Sequence, residues 1–223
     1  ELPDESGYLA VRASAPFSLA QSFALRPPHI AIFDSALRDE YGQTVVWERG
    51  DFENLFRVYL WCPPRADGSC SYFDVVSETD ILAGQLDNYD LLIVPAIRAG
   101  WAMTIANSLD ISGLNAIQRF WLAGGSLYAQ SDGAYIAQAA GLVGPGTIDP
   151  ATRVTAPGND GALVIDQPEH PATFSWLTPT MYVLSEPLFS VTAGGASVAH
   201  YAERPPPGTP AILAHHRPRT PAS

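Results

Sequence analysis

Ser131 is the residue whose neighbours best equip it for chemistry. It stands in Ser126-Leu-Tyr-Ala-Gln-Ser-Asp-Gly-Ala-Tyr-Ile-Ala-Gln-Ala-Ala140, where a short strand-like stretch gives way abruptly to a helix-forming run. A strand that passes straight into a helix must turn sharply. That turn holds its apex residue in a strained backbone conformation, with the side chain raised above the sheet. The first amides of the helix point at the same spot and favour an anion or an oxyanion there. Such an apex suits a nucleophile.

A serine hydroxyl attacks poorly until a base removes its proton, so a hydrolase needs a histidine within reach. The chain has five. His170, in Gln167-Pro-Glu-His-Pro171, reads either as that base or as a loop histidine ahead of a proline turn. His215 and His216 are alternatives near the chain end, His200 reads as structural, and His29 opens an early strand away from the elbow. The orienting acid would come from Glu169, Asp34 or Asp132. Asp132 also reads as a first-turn carboxylate favoured by the helix dipole, and a negative group there opposes an oxyanion.

The elements that must position these residues follow from the pattern of apolar residues. His29–Asp34, Phe73–Ser77, Leu91–Val94 and Ser126–Gln130 read as strands. Pro95 is expected to stop the third, and residues 35–50 and 96–113 read as connections. Asp51 is expected to cap a helix with Phe52, Leu55, Phe56, Tyr59 and Leu60 on one face. A short helix is expected at Leu82–Leu86, and a longer one from Leu114 with Ile117 and Trp121 on its face, ended by Gly124-Gly125. Beyond residue 150 the pattern turns to β, with strands at Ala162–Ile165, Met181–Leu184, Ser197–Tyr201 and Ala211–Ala214. The fold class is therefore α/β: a mostly parallel sheet with helices on both faces and a β-rich C-terminal part. Residues 1–28 read as an N-terminal extension, 29–216 as one domain and 217–223 as a tail.

Composition limits the partners. Twelve basic side chains, all arginine, face 23 acidic ones for a net charge of −11, which argues against nucleic acid and anionic membranes. No apolar run approaches the ~20 residues that span a bilayer, and residues 1–28 show no intact signal peptide. Cys62 and Cys70 flank Pro-Pro and Asp-Gly turn signals. They read either as a local disulfide of an exported protein or as two free thiols. With no histidine or third cysteine beside them they do not read as a metal site, and nothing calls for a cofactor.

Asp90-Leu-Leu-Ile-Val-Pro95 and Phe120–Val143 together resemble the class I glutamine amidotransferase-like superfamily, which includes PfpI-type proteases, peptidase E and cyanophycinase. The resemblance covers residues 29–143 and implies a flavodoxin-like sheet with a nucleophile elbow. Most of that group carries cysteine at the elbow; Ser131-Asp132-Gly133-Ala134 is similar to the Ser-x-Gly-Ala of peptidase E and cyanophycinase. His170 follows Ser131 at a spacing that resembles peptidase E. The resemblance implies that the amides of Asp132 and of Ala96 or Ile97 would hold the oxyanion. It also implies that Arg98 and Trp101 overhang the pocket, the arginine as a ligand for a substrate carboxylate. Ala96-Ile97-Arg98 stands where the group usually has glycine, and no His-Pro-Glu occurs. Two readings result. One is a hydrolase of amide or peptide bonds acting on a small-molecule or peptide substrate. The other is a catalytically degenerate binding or structural module of a larger protein.

Overall fold

The computed structural model describes residues 28–47, 49–54, 57, 63–154, 161–167, 180–181, 186–191, 193, 195–201 and 210–215. Four strands form an all-parallel sheet: β1 (Ile30–Phe33), β2 (Phe73–Val76), β3 (Leu91–Ile97) and β4 (Ser126–Ser131), in the order β2-β1-β3-β4. The order is consistent with a flavodoxin-like core. β1 is apolar at all four positions and all four are buried, as a strand covered on both faces requires.

Alternate residues serve two cores. Ala31, Phe33, Leu92 and Val94 face α2 (Glu78–Leu82), α3 (Ala102–Ala123) and α4 (Ala134–Ala139), whose Ile81, Ile105, Leu109, Ile117, Phe120 and Ile136 complete that cluster. Ile30, Ile32 and Ile93 face the other way, with Phe73, Cys70 and Phe52 of α1 (Arg49–Asn54). Two antiparallel sheets build the C-terminal part. β5 (Ile148–Val154) pairs with β8 (Glu186–Phe189), while β6 (Gly161–Ile165), β7 (Thr180–Met181), β9 (Gly195–Tyr201) and β10 (Pro210–His215) form a sheet ordered β10-β9-β6-β7. Gln138 of α4 accepts from the Ile148 amide at 2.8 Å and donates to the Ile148 carbonyl at 3.1 Å, and so ties β5 to the elbow helix. Among the described residues no helix is long and apolar enough to cross a membrane.

Several expected boundaries move. β3 does not stop at Pro95 but runs to Ile97, with an irregularity against β4 between Val94 and Ile97. A bulge tolerates a residue that cannot donate to the ladder. The short helix starts earlier, at Glu78, because Ser77 and Asp80 form a reciprocal capping box; Leu86 falls in a separate 3₁₀ turn, Gln85–Asn88. Residues 102–109 are helical, burying Ala102, Ile105, Ala106 and Leu109 at helical spacing. The helix then breaks at Asp110 (φ 48°), whose carboxylate accepts from the amides of Ser112 at 2.5 Å and Gly113 at 3.4 Å. Asp51 lies inside the first turn of α1 rather than before it. β5 and β8 were not expected. Leu55, Phe56, Tyr59, Leu60, residues 1–27 and the tail lie outside the described residues.

The amino end of the sheet is tied by one carboxylate. Asp74 of β2 accepts from His29 Nε2 at 2.9 Å, from the Tyr89 hydroxyl at 3.3 Å and from the Arg65 guanidinium. It thereby joins the entries to β1 and β3 to the loop that ends at Cys70. Burial works against the charged form of Asp74, but Arg65 and then His29 outweigh it and its pKa is lowered. Burial, followed by the neighbouring Asp74 charge, pushes Tyr89 up to about 12. Cys70 is buried and disulfide-bonded, and the chain has two cysteines; Cys62 itself lies outside the described residues.

Asp74→Asn is expected to lower the stability at pH 7 by about 1–2 kcal/mol, a shift of a few degrees in Tm. A depressed folded-state pKa gives stability that is present above the ordinary carboxylate range and disappears as pH falls through the folded value. Thermal melts of wild type and variant should therefore differ at neutral pH and converge towards the acid end.

Candidate functional site

The strand-to-helix turn after β4 is as sharp as its sequence implies. Ser131, the last residue of β4, has φ 51°, one of two described non-glycine residues with positive φ. A left-handed φ costs an L-residue roughly 1–2 kcal/mol. The turn that imposes it depends on Gly133: a Cβ there would lie 2.5 Å from the Pro95 carbonyl oxygen, 2.8 Å from that of Gln130 and 3.0 Å from a Val94 methyl. Only a bare glycine lets the start of the helix approach the β3 bulge this closely. The Gly133 amide donates to the Gln130 carbonyl at 2.9 Å, closing the turn around Ser131. The Ser131 side chain is partly exposed, whereas Asp132 is 1 % exposed.

Across the ladder Ser131 is in register with Ile97. Ala96 and Ile97 are buried, and the backbone around them is already engaged. Val46 bridges Ile97, the Trp47 amide donates to the Ala96 carbonyl at 2.6 Å, and the Arg98 amide donates to the Val45 carbonyl at 2.8 Å. Strand order reverses direction between β1 and β3, the place where open α/β sheets usually receive a ligand. Here Val45 and Val46, essentially fully buried, join the main core beside that crevice.

Arg98 is drawn into the same loop. Its guanidinium pairs with the Asp39 carboxylate, lies 3.4 Å from Gln43 Oε1 and sits over the Trp47 ring at 5.3 Å. Burial raises the pKa of Asp39, but the amides of Gln43 and Tyr41 and then Arg98 outweigh that, leaving it lowered. The expected carboxylate ligand is thus engaged within the chain. Trp101 is half-buried against the main core, and its amide donates to the Arg98 carbonyl at 3.0 Å. Asp34 accepts from Arg49 at 2.8 Å and from the Thr44 hydroxyl at 3.2 Å. Beside it the buried Ser35 hydroxyl donates to Glu78, which also takes the Ala36 amide at 3.0 Å.

The described histidines do not pair with Ser131. His29 uses its ring on Asn88 and Asp74 at the opposite end of the sheet. His200 of β9 meets Asp166 at 2.8 Å, and the Ser197 hydroxyl donates to the same carboxylate at 2.6 Å. Asp166 and Gln167 both donate their amides to the Val198 carbonyl, a bulge that aims the carboxylate at His200. His170, Glu169 and His216 lie outside the described residues, as does the His215 side chain. No group of three or more histidine, cysteine, aspartate or glutamate side chains that could hold a metal occurs among the described residues. Sequence reasoning missed the Asp39–Arg98 pair, which joins positions far apart in the chain, and the Val45–Trp47 pairing, which reads locally as loop.

Two substitutions separate the steric from the strained component of the elbow. Gly133→Ala places a methyl against backbone oxygens and is expected to cost about 1–3 kcal/mol by denaturant unfolding. Ser131→Gly removes the positive-φ penalty against a gain in unfolded-state freedom. It should be neutral or stabilising by up to about 1 kcal/mol in the same measurement.

Comparison of the chain with protein-family models, with curated proteins and with solved structures yields no match.

Proposed function

We propose that Ser131 is the nucleophile of a hydrolase of amide or peptide bonds, carried on a scaffold of the glutamine amidotransferase-like type. The observation that carries this reading is the φ of 51° at Ser131, enforced by the close approach of Gly133 to Pro95. Strained residues cluster at functional sites, and unlike Asp110, whose carboxylate takes the amides of Ser112 and Gly113 at a helix break, Ser131 stands at a strand-to-helix apex. In the reaction the Ser131 hydroxyl oxygen bonds to the carbonyl carbon and its proton passes to a histidine, with His170 assigned that role and Glu169 its orienting acid. The same proton then goes to the departing amine. Water then attacks the acyl carbon of the acyl-serine, passing one proton to the histidine, which returns it to the Ser131 oxygen as the acyl C–O bond breaks and the acid product leaves. The Asp132 amide, first after the nucleophile, is assigned to the oxyanion. The disulfide at Cys70 supports an extracytoplasmic site of action.

The second reading, a module that binds or builds without catalysis, is favoured by a specific observation. The crevice between β1 and β3 abuts the chain's own Val45–Trp47 segment, and Arg98 is committed to Asp39.

A fluorophosphonate probe applied to the purified protein should label Ser131, with labelling lost in Ser131→Ala. His170→Ala should slow the labelling about 10²-fold or more. Absence of labelling in the wild type favours the second reading, and labelling unaffected by His170→Ala reassigns the base.

A further inference from the structure

One hollow opens between the connection that leaves β3 and the strand that follows the elbow helix. It has a volume of about 180 Å³ and is lined by Gly100, Ala102, Met103, Pro150 and Ala151. None of these residues carries a charge or a side-chain hydrogen-bonding group beyond the methionine sulfur. Whole-ligand sites usually occupy about 300–1,000 Å³, so this one is sized for a single substituent.

Both walls are hung on the elbow. Ser131 faces Ile97 across the ladder, where neighbouring strands run about 4.8 Å apart. The Arg98–Trp101 turn, closed by its 3.0 Å hydrogen bond, keeps its ends within about 7 Å. The first wall therefore begins no more than roughly 15 Å from Ser131, the reach of at most about four residues of extended peptide. The second wall, Pro150 and Ala151, follows Ile148, which Gln138 clamps to α4, the helix that starts at the elbow.

We propose that this hollow is a specificity subsite that receives one apolar side chain of a peptide substrate within four residues of the bond attacked by Ser131. The inference rests on the serine-hydrolase reading and adds the substrate class. A charged side chain would lose its water there and meet no partner, and the expected carboxylate ligand, Arg98, is held by Asp39. An apolar side chain gains about 25 cal/mol for each Å² it buries. Met103, 52 % exposed, forms an adaptable rim. The net charge of −11 disfavours acidic peptides as a class.

The test uses quenched fluorogenic peptides of one length, each carrying leucine, phenylalanine or aspartate at one of the four positions on either side of the cleaved bond. Fluorophosphonate labelling of the wild type is read in parallel. At one position kcat/KM for leucine should exceed that for aspartate by about tenfold or more. Ala151→Trp, which fills the hollow, should remove most of that preference. Met103→Ala, which widens the rim, should shift it from leucine towards phenylalanine. Labelled protein that shows no apolar preference, or a preference that neither variant alters, overturns the subsite and leaves the nucleophile standing. Wild type that is not labelled and cleaves no peptide overturns both.

Discussion

The contact between Gly133 and the β3 bulge is the constraint on which the candidate site depends. With no Cβ at Gly133, the start of α4 lies almost on the Pro95 carbonyl, and Ser131 must take a left-handed turn to bring it there. Pro95 matters for the same reason. It lacks an amide to spend on the ladder, so β3 bulges where it meets β4 and offers its carbonyl to the incoming helix. Gly125 repeats this on the other side of the strand, where a Cβ would lie 2.3 Å from the Phe120 ring. β4 is thus held between two glycines that admit no side chain, and its last residue has little freedom to relax.

The rest of the molecule divides into a fixed end and a working end. At the amino end Asp74 gathers a histidine, a tyrosine and an arginine from three segments, and the disulfide at Cys70 lies beside them. At the carboxyl end polar side chains also pair, Asp34 with Arg49, Ser35 with Glu78, and Asp39 with Arg98, although the buried Arg98 Nε has no hydrogen-bond partner among the described residues. These pairs hold loops down over β1 and β3. Ser131 ends β4, one of the two edge strands of the sheet, and takes no part in these pairs. The proposed nucleophile therefore lies to the side of the β1/β3 crevice where such sheets more often bind ligands.

Much of the core was legible because burial dictates it. Ile30–Phe33 and Leu91–Val94 are apolar runs that have no place except the middle of a covered sheet, and both were read correctly as strands. The abrupt step from Ser126–Gln130 into Ala134 gave the turn and its apex. What failed were signals that compete locally. Pro95 reads as a stop, yet at a bulge it is tolerated inside a strand. The apolar spacing of Ala102, Ile105, Ala106 and Leu109 was present, but small residues and the break at Asp110 concealed it. The fate of Arg98 was illegible, since its partner Asp39 lies in another loop and only the tertiary fold brings them together.

The most direct test of the central claim is the distance from the Ser131 hydroxyl to the nearest imidazole nitrogen in a crystal structure of the protein. The account predicts a nitrogen of His170 within about 3.5 Å of the hydroxyl oxygen, allowing for loose unliganded geometry. A Ser131 hydroxyl with no histidine in reach would contradict it, leaving a strained serine that has no means of activation.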